Sequence, residues 1–413
     1  MNSTSLFLGA GGTGMQGLAY LFRESGRNVI AYDDNRDIAG VSLSEAQDSL
    51  SNISLLVYTD AAPETHPLRQ AASARGLKQI PYHEALGEFS QEYTTIAITG
   101  THGKSSTTAF LAHMCIEAGL DPTVLIGAKM AGLPGGHARL GSSKYFIVEA
   151  DEYRRHFLPL APAHAIITTI DFDHPDAFSS ITDVEYAYAE FIARVQKDGI
   201  IAVPKEEHDN HPNITWPDNT VLVPEATEVS FKPPLPGEHM IMNALLAATV
   251  AERLGIPIQK ALASLASFPG IERRFELLGN VRGCDIRSDY GHHPAEIRAT
   301  IGSARQAYPS GKLTVLFEAH MPLRLRTFFD DFASALSLAD TILVTAPFAP
   351  AGRDAQGIDD AKLLVDTLVK QGKKALYCEN PIEYIAETLD GDVLLFFSAG
   401  TLDSTIRKTV KSS

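Results

Sequence analysis

Short apolar runs rich in β-branched and aromatic residues alternate along the chain with longer amphipathic stretches. Leu6–Leu8, Asn28–Tyr32 and Thr95–Thr99 have the composition of buried strands. The stretch after the first run, to about Ser25, and the stretch Ser105–Ala118 have the spacing of helices. Alternating strands and helices favour parallel sheets covered by helices, so the pattern predicts an α/β protein.

Three blocks of this pattern follow one another: residues 1–91, 92–269 and 270–413. We predict three α/β domains: a Rossmann-like first domain, a central parallel-sheet domain of the P-loop ATPase type, and a C-terminal Rossmann-like domain. Further strands are predicted at Tyr145–Ala150, Ala165–Ile170, Gly199–Val203, Lys312–Phe317, Thr341–Thr345 and Val393–Phe397. Further helices are predicted at Asp183–Gln196, Gly237–Leu254, Pro294–Ala307, Thr327–Leu336, Asp359–Gln371 and Ile382–Leu389. Glu206–Pro236, rich in proline, asparagine and charge, is predicted to form loops and weak strands.

Composition narrows the class of protein. The chain has 413 residues, 45% of them hydrophobic and 21% charged, as in globular domains. The formal net charge of −15 argues against non-specific binding to nucleic acid. The three cysteines lack metal-ligand spacing, and neither a signal peptide nor an apolar span of about 20 residues stands out. We therefore expect a cytoplasmic protein without membrane or nucleic-acid partners. We also expect a monomer or homodimer, although composition does not decide between them.

A phosphate-binding loop is predicted between the strand Thr95–Thr99 and the next helix. Its residues are Gly100, Thr101, His102, Gly103, Lys104, Ser105 and Ser106. Backbone N–H groups at a helix N-terminus cradle phosphate oxygens, Lys104 can neutralise them, and the Ser105 hydroxyl can ligate Mg²⁺. Ile98 stands where the usual motif has its first glycine, so this is a variant loop. The competing interpretation is a plain strand-to-helix turn.

Acidic residues follow two of the predicted central strands. Glu149-Ala150-Asp151-Glu152 ends one strand, and Asp173-His174-Pro175-Asp176 follows another. The carboxyl ends of parallel strands meet at one edge of a sheet. Glu149 and His174 are therefore candidate ligands of a metal beside the γ-phosphate. Without a phosphate loop upstream, both segments would be read as caps and surface charge.

The first strand leads into Gly9-Ala10-Gly11-Gly12-Thr13-Gly14, a G-x-G-x-x-G pattern, and Asp33 lies about 20 residues further on. This spacing suits a dinucleotide, but also any diphosphate at a helix N-terminus. A tight turn without a ligand is the plainer interpretation.

Further polar groups occur in the last third of the chain. Arg274, Asp289, His292, His320 and Arg324 lie near predicted strand ends, where arginine and histidine suit a carboxylate or a phosphate. His239 and Asn243 lie near the start of a predicted helix, and Asn243 is a plausible reader of an adenine edge. Each of these taken alone is equally consistent with a charged side chain on the surface or with an ordinary capped helix.

Together and in order, these motifs resemble the Mur ligases of peptidoglycan synthesis, most closely the branch that joins L-alanine to UDP-N-acetylmuramate. The resemblance covers nearly the whole chain. It is carried by Gly9–Met15, Thr99–Thr108, Glu149–Glu152, Asp173–Asp176, Gly237–Asn243, Phe268–Gly279 and Asp289–Glu296. The chain departs from the family pattern at Met240 and at Met321-Pro322-Leu323, and its first and central blocks are shorter than usual.

The resemblance implies an ATP-dependent and Mg²⁺-dependent ligase that forms an amide through an acyl phosphate. The first domain would bind the UDP-sugar, the second ATP, and the third the amino acid. The implied UDP-sugar contacts are Gly11, Gly12, Thr13, Gly14 and Asp33. The implied ATP contacts beyond the phosphate loop are His239, Asn243, Arg274 and Asp289. The implied metal ligands are Ser105, Glu149 and His174, and the implied catalytic groups are Lys104, His174, His292, His320 and Arg324.

Three other functions remain open at this point. One is a non-catalytic UDP-sugar sensor that keeps the fold, and the presence of Lys104, Glu149 and His174 argues against it. The recycling branch of the same family joins a preformed tripeptide, rather than L-alanine, to UDP-N-acetylmuramate. A nicotinamide-dependent oxidoreductase would account for Gly9–Gly14 and Asp33, but it leaves the lysine of the second loop, Lys104, without a role.

Overall fold

A computed structural model describes residues 4–34, 41–224, 231, 233–348 and 357–412. The described residues form three β-sheets flanked by helices. The described residues within 1–171, 180–230 and 242–269 form one compact unit, and those within 172–179, 231–241 and 270–413 form the other. The first unit holds two of the sheets and the second unit holds the third. The α/β fold predicted from alternating strands and helices is confirmed.

The first sheet has four parallel strands. In spatial order they are Asn28–Tyr32, Thr4–Leu8, Ile53–Tyr58 and Lys78–Pro81. The helices that accompany it are Thr13–Glu24, Leu43–Ser49, Pro67–Ala74 and Tyr82–Ser90. The strand Thr4–Leu8 is interior and its apolar side chains are buried on both faces, as expected for a parallel strand with helices on both sides.

The second sheet has seven strands, parallel except for the last. In spatial order they are Thr220–Val223, Ile201–Pro204, His164–Ile167, Thr94–Thr99, Tyr145–Glu149, Thr123–Leu125 and Ala138–Arg139. Its helices are Lys104–Glu117, Ile181–Ile192, Lys205–Asn210, Glu238–Arg253 and Ile258–Ser264, with short 3₁₀ turns at Tyr153–Arg155 and Leu265–Ser267. The strand Thr94–Thr99 is central, so the segment that follows it emerges at the middle of the sheet edge, where α/β sites form.

The third sheet has six strands and begins with an antiparallel hairpin. In spatial order they are Glu276–Val281, Cys284–Asp289, Val393–Phe397, Leu313–Phe317, Thr341–Val344 and Lys374–Tyr377. The helices are Pro294–Ala307, Pro322–Thr327, Phe329–Leu336, Ile358–Lys370, Pro381–Glu383, a π-type turn Tyr384–Thr388, and Leu402–Ser412. All five residues of Val393–Phe397 are buried, and each large apolar side chain there contributes about 1.5–3 kcal/mol relative to exposure.

One prediction needs correction. The segment Glu206–Pro236, predicted as loops and weak strands, begins inside a helix, Lys205–Asn210. The apolar residues of this helix have no helical spacing, and polar contacts hold its end, such as that of His211 Nδ1 with Glu185, 2.9 Å apart. The predicted helix Ile382–Leu389 is present as one α-helical turn, Pro381–Glu383, that continues as a π-helix over Tyr384–Thr388. The remainder of the loop prediction at 225–230 and at 232 lies outside the described residues.

Among the described residues, no helix combines the length and the apolar character needed to cross a membrane.

Candidate active site

The glycine turn of the first sheet is fixed by one carboxylate. The N–H of Gly11 donates to Asp33 Oδ2 at 2.8 Å, and Gly12 caps the helix that begins at Thr13. A Cβ on Gly14 would lie 2.6 Å from the hydroxyl oxygen of Tyr82, so only glycine allows this approach. The loop is therefore preformed at a helix N-terminus, a favourable place for a diphosphate. The residues brought together are those predicted: Gly11, Gly12, Thr13, Gly14 and Asp33.

The phosphate loop of the second sheet depends on two glycines with positive φ. Gly100 has φ 138°, and a Cβ there would lie 1.9 Å from Thr168 Oγ1. Gly103 has φ 84°, and a Cβ there would lie 2.8 Å from Asn243 Oδ1. The turn is thus built so that its backbone passes close to neighbouring chain segments, and larger residues are excluded.

Hydrogen bonds to the neighbouring strand end hold the rest of the loop. The N–H of Thr101 donates to the carbonyl of Thr169 at 2.8 Å, and the N–H of His102 donates to the Thr169 hydroxyl at 2.8 Å. Ser106 is buried in the first turn of the following helix. The loop is rigid before any nucleotide arrives, which reduces the entropy lost on binding.

Lys104 is the charged centre of this loop. Its Nζ donates to the carbonyl of Gly100 at 2.6 Å and to the two carboxylate oxygens of Glu152 at 2.8 and 3.0 Å. Burial would lower the pKa of Lys104, but Glu152, Asp151 and Glu149 outweigh it, and the pKa lies above its usual value. The ammonium group therefore stays charged.

Glu152 is the buried partner of that ammonium group. Burial raises the pKa of Glu152 to about 7, against the opposing attraction of Lys104. A phosphate oxygen has the charge and the acceptor geometry to take this carboxylate's place on the lysine. The ion pair thus keeps Lys104 oriented at the position where phosphate is expected.

Ser105 and Glu149 place hard oxygen donors beside the lysine. The Ser105 hydroxyl donates to Glu149 Oε1 at 3.1 Å, and the N–H of Gly127 donates to Glu149 Oε2 at 2.8 Å. A hydroxyl and a carboxylate at this spacing are the donors that Mg²⁺ prefers next to phosphates. These two predicted metal ligands therefore fit the ion chemically.

The helix Glu238–Arg253 carries the two predicted adenine contacts one turn apart. Asn243 is buried, and its amide group faces Gly103 of the phosphate loop. His239 lies close to Gly237, where a Cβ would be 2.5 Å from the His239 ring. Met240 is buried in the same first turn.

In the second compact unit, Arg324 is an almost fully buried cation. It donates to Asp173 Oδ1 from Nε at 2.9 Å, its Nη1 lies 3.1 Å from His320 Nδ1, and its Nη2 lies 3.5 Å from His174 Nδ1. His174 has a left-handed backbone, φ 56°, and its N–H donates to Asp173 Oδ1 at 2.6 Å. Three predicted catalytic groups are therefore assembled around one carboxylate.

Two histidines of this unit lie near each other. The rings of His292 and His320 are 5.5 Å apart. Burial lowers the pKa of His292 to about 4, with Arg324 acting in the same direction and Glu296 opposing. His292 is thus a neutral imidazole near pH 7, able to accept a proton or a hydrogen bond.

Asp289 and Arg274 lie beside the antiparallel hairpin. Asp289 accepts hydrogen bonds from the N–H groups of Phe275 at 2.9 Å and Gly291 at 2.8 Å. Burial raises the pKa of Asp289 to about 6, against the attraction of Arg274. The Arg274 guanidinium lies 5.4 Å from the centroid of the Tyr290 ring. Phe275 has φ 49°, so this turn is backbone-strained and held by Asp289.

Three important residues received no role from the sequence: Glu152, Asp173 and Tyr82. Glu152 and Asp173 lie inside the predicted acidic segments, so the signal was present, but their partners are distant in sequence. Arg324 is 151 residues from Asp173, and no local pattern connects them. Tyr82 belongs to no sequence motif, and its contact with Gly14 is visible only in the folded chain.

Met321 is one of the positions where the chain departs from the family pattern. It adopts φ 71° and donates its N–H to the carbonyl of Phe348 at 2.9 Å.

A lysine-bearing phosphate loop on a central parallel sheet, with further sheets before and after it, is the arrangement of a nucleotide-binding α/β enzyme. Profiles of the Mur ligase family match three successive parts of the chain. They are the Mur ligase family catalytic domain at residues 5–94, the Mur ligase middle domain at 98–214, and the Mur ligase glutamate ligase domain at 273–400. The chain belongs to the Mur ligase family.

Individual relatives agree with this assignment. The chain is 32% identical to the UDP-N-acetylmuramate–L-alanine ligase of Caldanaerobacter subterraneus subsp. tengcongensis, over 96% of this chain and 95% of that one. The crystal structure of the UDP-N-acetylmuramate–alanine ligase of Thermotoga maritima superposes with a TM-score of 0.79 at 24% identity, covering 99% and 98% of the two chains. A murein peptide ligase of Psychrobacter arcticus superposes with a TM-score of 0.71 at 22% identity, covering 99% and 98%. The two superpositions show the fold.

Proposed function

We propose that the protein joins L-alanine to UDP-N-acetylmuramate through an acyl phosphate: the sugar's carboxylate takes the γ-phosphoryl group of ATP and releases ADP, and the amine then displaces phosphate. The observation that carries the proposal is Lys104 held between the Gly100 carbonyl and the buried Glu152 carboxylate, 2.6 and 2.8 Å away. Support for L-alanine and UDP-N-acetylmuramate as the two substrates comes from the UDP-N-acetylmuramate–L-alanine ligase of Caldanaerobacter, which is 32% identical across 96% of this chain. The dinucleotide-dependent oxidoreductase has no use for this lysine.

Chemistry at the phosphate loop follows from its fixed charges. A carboxylate is a poor acyl donor until an oxygen becomes a good leaving group, which phosphorylation provides. Lys104 would spread the negative charge of the transferring phosphoryl group, and the loop N–H groups would hold the remaining oxygens. We propose Gly100, Thr101, His102, Gly103, Lys104, Ser105 and Ser106 as phosphate contacts, and His239, Asn243, Arg274 and Asp289 as contacts to the rest of the nucleotide.

Magnesium is proposed as the accompanying ion. Ser105 and Glu149 would hold it, because a hydroxyl and a carboxylate 3.1 Å apart form a hard-oxygen donor pair. When bound, the ion would neutralise charge that develops on the phosphates. His174 is proposed as a further ligand on the family resemblance alone.

Residues 1–91 are proposed to bind the UDP-sugar, 92–269 ATP, and 270–413 the amino acid. In the first of these, the preformed Gly11–Gly14 turn would receive the diphosphate, since its helix N-terminus carries partial positive charge. In the last, His292, His320 and Arg324 are proposed to position the amino acid. A neutral His292 suits this role, because a protonated amine must lose a proton before it attacks. We further propose a cytoplasmic monomer or homodimer.

The test is phosphate release from ATP and Mg²⁺ in the presence of UDP-N-acetylmuramate and single amino acids. Release that depends on both the sugar nucleotide and L-alanine, with the amide product seen by mass spectrometry, supports the proposal. Turnover unchanged by Lys104→Ala contradicts it. Oxidation of NADH by the protein, without phosphate release, would instead favour the oxidoreductase.

The tripeptide-adding reaction is the second candidate. The observation in its favour is the superposition on a murein peptide ligase over 99% of this chain. Competition between L-alanine and a tripeptide in the same assay separates the two reactions. A higher kcat/KM for the tripeptide than for L-alanine would show that the tripeptide is the preferred acceptor. The proposed phosphate chemistry would stay the same.

A further inference from the structure

A second cluster of metal-ligating side chains shares no residue with the phosphate loop or with the proposed Mg²⁺ site. Asp60 follows the end of the strand Ile53–Tyr58, His83 lies in the first turn of the helix Tyr82–Ser90, and His156 follows the short turn Tyr153–Arg155. One ligand atom from each of the three side chains lies within 4.8 Å of the other two. Nothing in the proposed ligase chemistry uses these residues.

Contacts within the cluster are close and specific. His156 Nε2 lies 2.7 Å from Asp60 Oδ2. The His83 and His156 rings are parallel, 4.4 Å apart with 9° between their planes. Within the described part of the chain, the buried Nδ1 of His83 has no hydrogen-bond partner. A buried imidazole nitrogen without a partner costs free energy, and a cation would supply one.

The segment that carries His156 is held in an unusual conformation. Arg154 and Arg155, the two residues before it, both have positive φ, 49° and 63°. Each such residue costs about 1–2 kcal/mol, so the surroundings must enforce it. Arg155 is tied to the next helix by Asp183 at 3.2 Å and Glu190 at 2.7 Å. His156 is therefore oriented before any ligand binds.

We propose that Asp60, His83 and His156 form a binding site for a borderline divalent cation of the Zn²⁺ class, separate from the proposed Mg²⁺ site. Two imidazoles and one carboxylate are a donor set typical of zinc and iron(II), whereas Mg²⁺ and Ca²⁺ prefer oxygen donors. Ligand atoms around tetrahedral zinc lie roughly 3.3 Å apart at bonds of about 2.0–2.1 Å, and an imidazole holds a metal in the plane of its ring. Binding therefore requires the His83 ring to turn out of its stack on His156 and the His156–Asp60 contact to open. Three protein ligands leave a fourth position, and the exposed Asp60 gives the ion access from solvent.

The position of the site indicates what the ion does. His83 is next to Tyr82, whose hydroxyl packs on Gly14 of the first glycine turn, and His156 lies four residues beyond Glu152. A bound ion would fasten residues of the first sheet to residues that follow a strand of the second sheet. It would thus stabilise the surroundings of the glycine turn, whether or not the protein is a ligase.

The experiment is a Co²⁺ titration of the chelator-treated full-length protein without ATP, in excess Mg²⁺. Mg²⁺ fills oxygen-rich sites and competes poorly for imidazole. We expect one tight equivalent with the intense visible absorption of low-coordinate Co²⁺, displaced by Zn²⁺, and a Tm that rises on Zn²⁺ addition. His83→Ala and His156→Ala should each weaken Co²⁺ binding by more than about 100-fold, beyond the roughly 10–100-fold that loss of a supporting group costs.

Two control variants test whether Co²⁺ binds specifically at Asp60, His83 and His156. His208→Ala removes a half-buried imidazole that also contacts a carboxylate, Asp209 at 3.0 Å, and should leave the tight equivalent intact. Glu149→Gln removes the carboxylate of the proposed Mg²⁺ site and should also leave it intact. If a histidine variant fails to fold, Asp60→Asn keeps the side-chain size and should still weaken binding. Absence of a tight equivalent in the unaltered protein, or its persistence in Asp60→Asn and the histidine variants, overturns the proposal, and neither result depends on ligase turnover.

Discussion

Arg324 binds Asp173 through two nitrogen atoms, Nε and Nη2, each 2.9 Å from the same carboxylate oxygen. The side chains are 2% and 5% exposed. Burial would raise the pKa of Asp173, but Arg324, and more weakly His174 and His292, hold it well below its usual value. A buried carboxylate with a single strong partner is costly to leave unpaired.

Arg324→Met should therefore destabilise the protein by about 3–5 kcal/mol, as expected when one partner of a buried ion pair is removed. The double variant with Asp173→Asn should recover part of this loss, because no buried charge then remains. Denaturant unfolding of the single and double variants measures both changes. Arg326→Met is the matched control, since the Arg326–Asp360 pair, 2.7 Å apart, is more exposed and such pairs contribute about 0–1 kcal/mol. Equal losses of unfolding free energy in Arg324→Met and Arg326→Met would contradict the conclusion that the Arg324–Asp173 pair is a buried ion pair.

Lys104→Ala should lower turnover by roughly 10²–10³-fold, the range seen when one donor to a developing charge is removed. The variant also leaves Glu152 buried without its cation. Combining Lys104→Met with Glu152→Gln should restore folding stability without restoring turnover, because the buried charge is gone but the phosphate partner is still missing. Steady-state phosphate release and thermal unfolding, measured on the same preparations, separate the two effects. Recovery of turnover in the double variant would show that Lys104 acts only through Glu152.

Much of this fold follows from sequence because many of its strands are short apolar runs that are wholly or partly buried. Asn28–Tyr32, Val393–Phe397 and the helix Pro294–Ala307 have the predicted bounds, since apolar composition and proline mark them locally. The helix Lys205–Asn210 has no such mark, because it is short, charged and held by contacts with distant residues. Local periodicity predicts an element only where burial on one face determines its structure.

The site residues that the sequence predicts are those that lie close together along the chain. Gly100, Gly103, Lys104 and Ser105 lie within a few residues of one another, so one pattern names them all. The Lys104–Glu152 and Arg324–Asp173 pairs join residues that are 48 and 151 positions apart. Whether such residues meet depends on the order of the strands in the sheet, and this order cannot be read from a single sequence. The roles of these residues stay predictions until variants are measured.

Gly100→Ala should abolish measurable ATP binding, because a Cβ would lie 1.9 Å from Thr168 Oγ1 in a backbone of φ 138°. Relief of the clash must move the turn or the strand end that supports it. Gly119→Ala is the control: its φ is also positive, 78°, but no atom lies within 4 Å of the added carbon. That control should lose about 1–2 kcal/mol of stability and keep its ATP affinity. Calorimetric titration of both variants with ATP and Mg²⁺ gives the comparison, and equal affinities would refute the steric argument.

Asp33→Ala should raise the KM for the UDP-sugar by about 10-fold and leave the KM for ATP unchanged. The reason is that the Gly11 N–H loses its acceptor at 2.8 Å, and a hydrogen bond to a charged group contributes about 1.5–3 kcal/mol. Asp33→Asn retains an acceptor oxygen and should shift the KM less. Separate substrate titrations of the two variants measure these constants. A rise in the KM for ATP alone would place the glycine turn outside UDP-sugar binding.

The stability of the protein should fall faster with acidification than that of His292→Gln. Burial lowers the pKa of His292 in the folded chain to about 4, while the unfolded histidine titrates near its ordinary value of about 6.5. Between about pH 6.5 and pH 4 the histidine is protonated in the unfolded state but stays neutral in the folded state. The free energy of unfolding therefore decreases as the pH falls through this range. The loss should approach about 3 kcal/mol relative to the variant and then level off.

Denaturant unfolding of both proteins at intervals between pH 8 and 4 measures this difference directly. Asp289 and Glu152 titrate in the same range with raised pKa values, but they are common to both proteins and largely cancel in the comparison. A constant difference across the range would mean that His292 is protonated as easily in the folded chain as in the unfolded one. It would then carry a positive charge at mildly acidic pH, which would oppose its proposed role as a neutral acceptor beside the amino group.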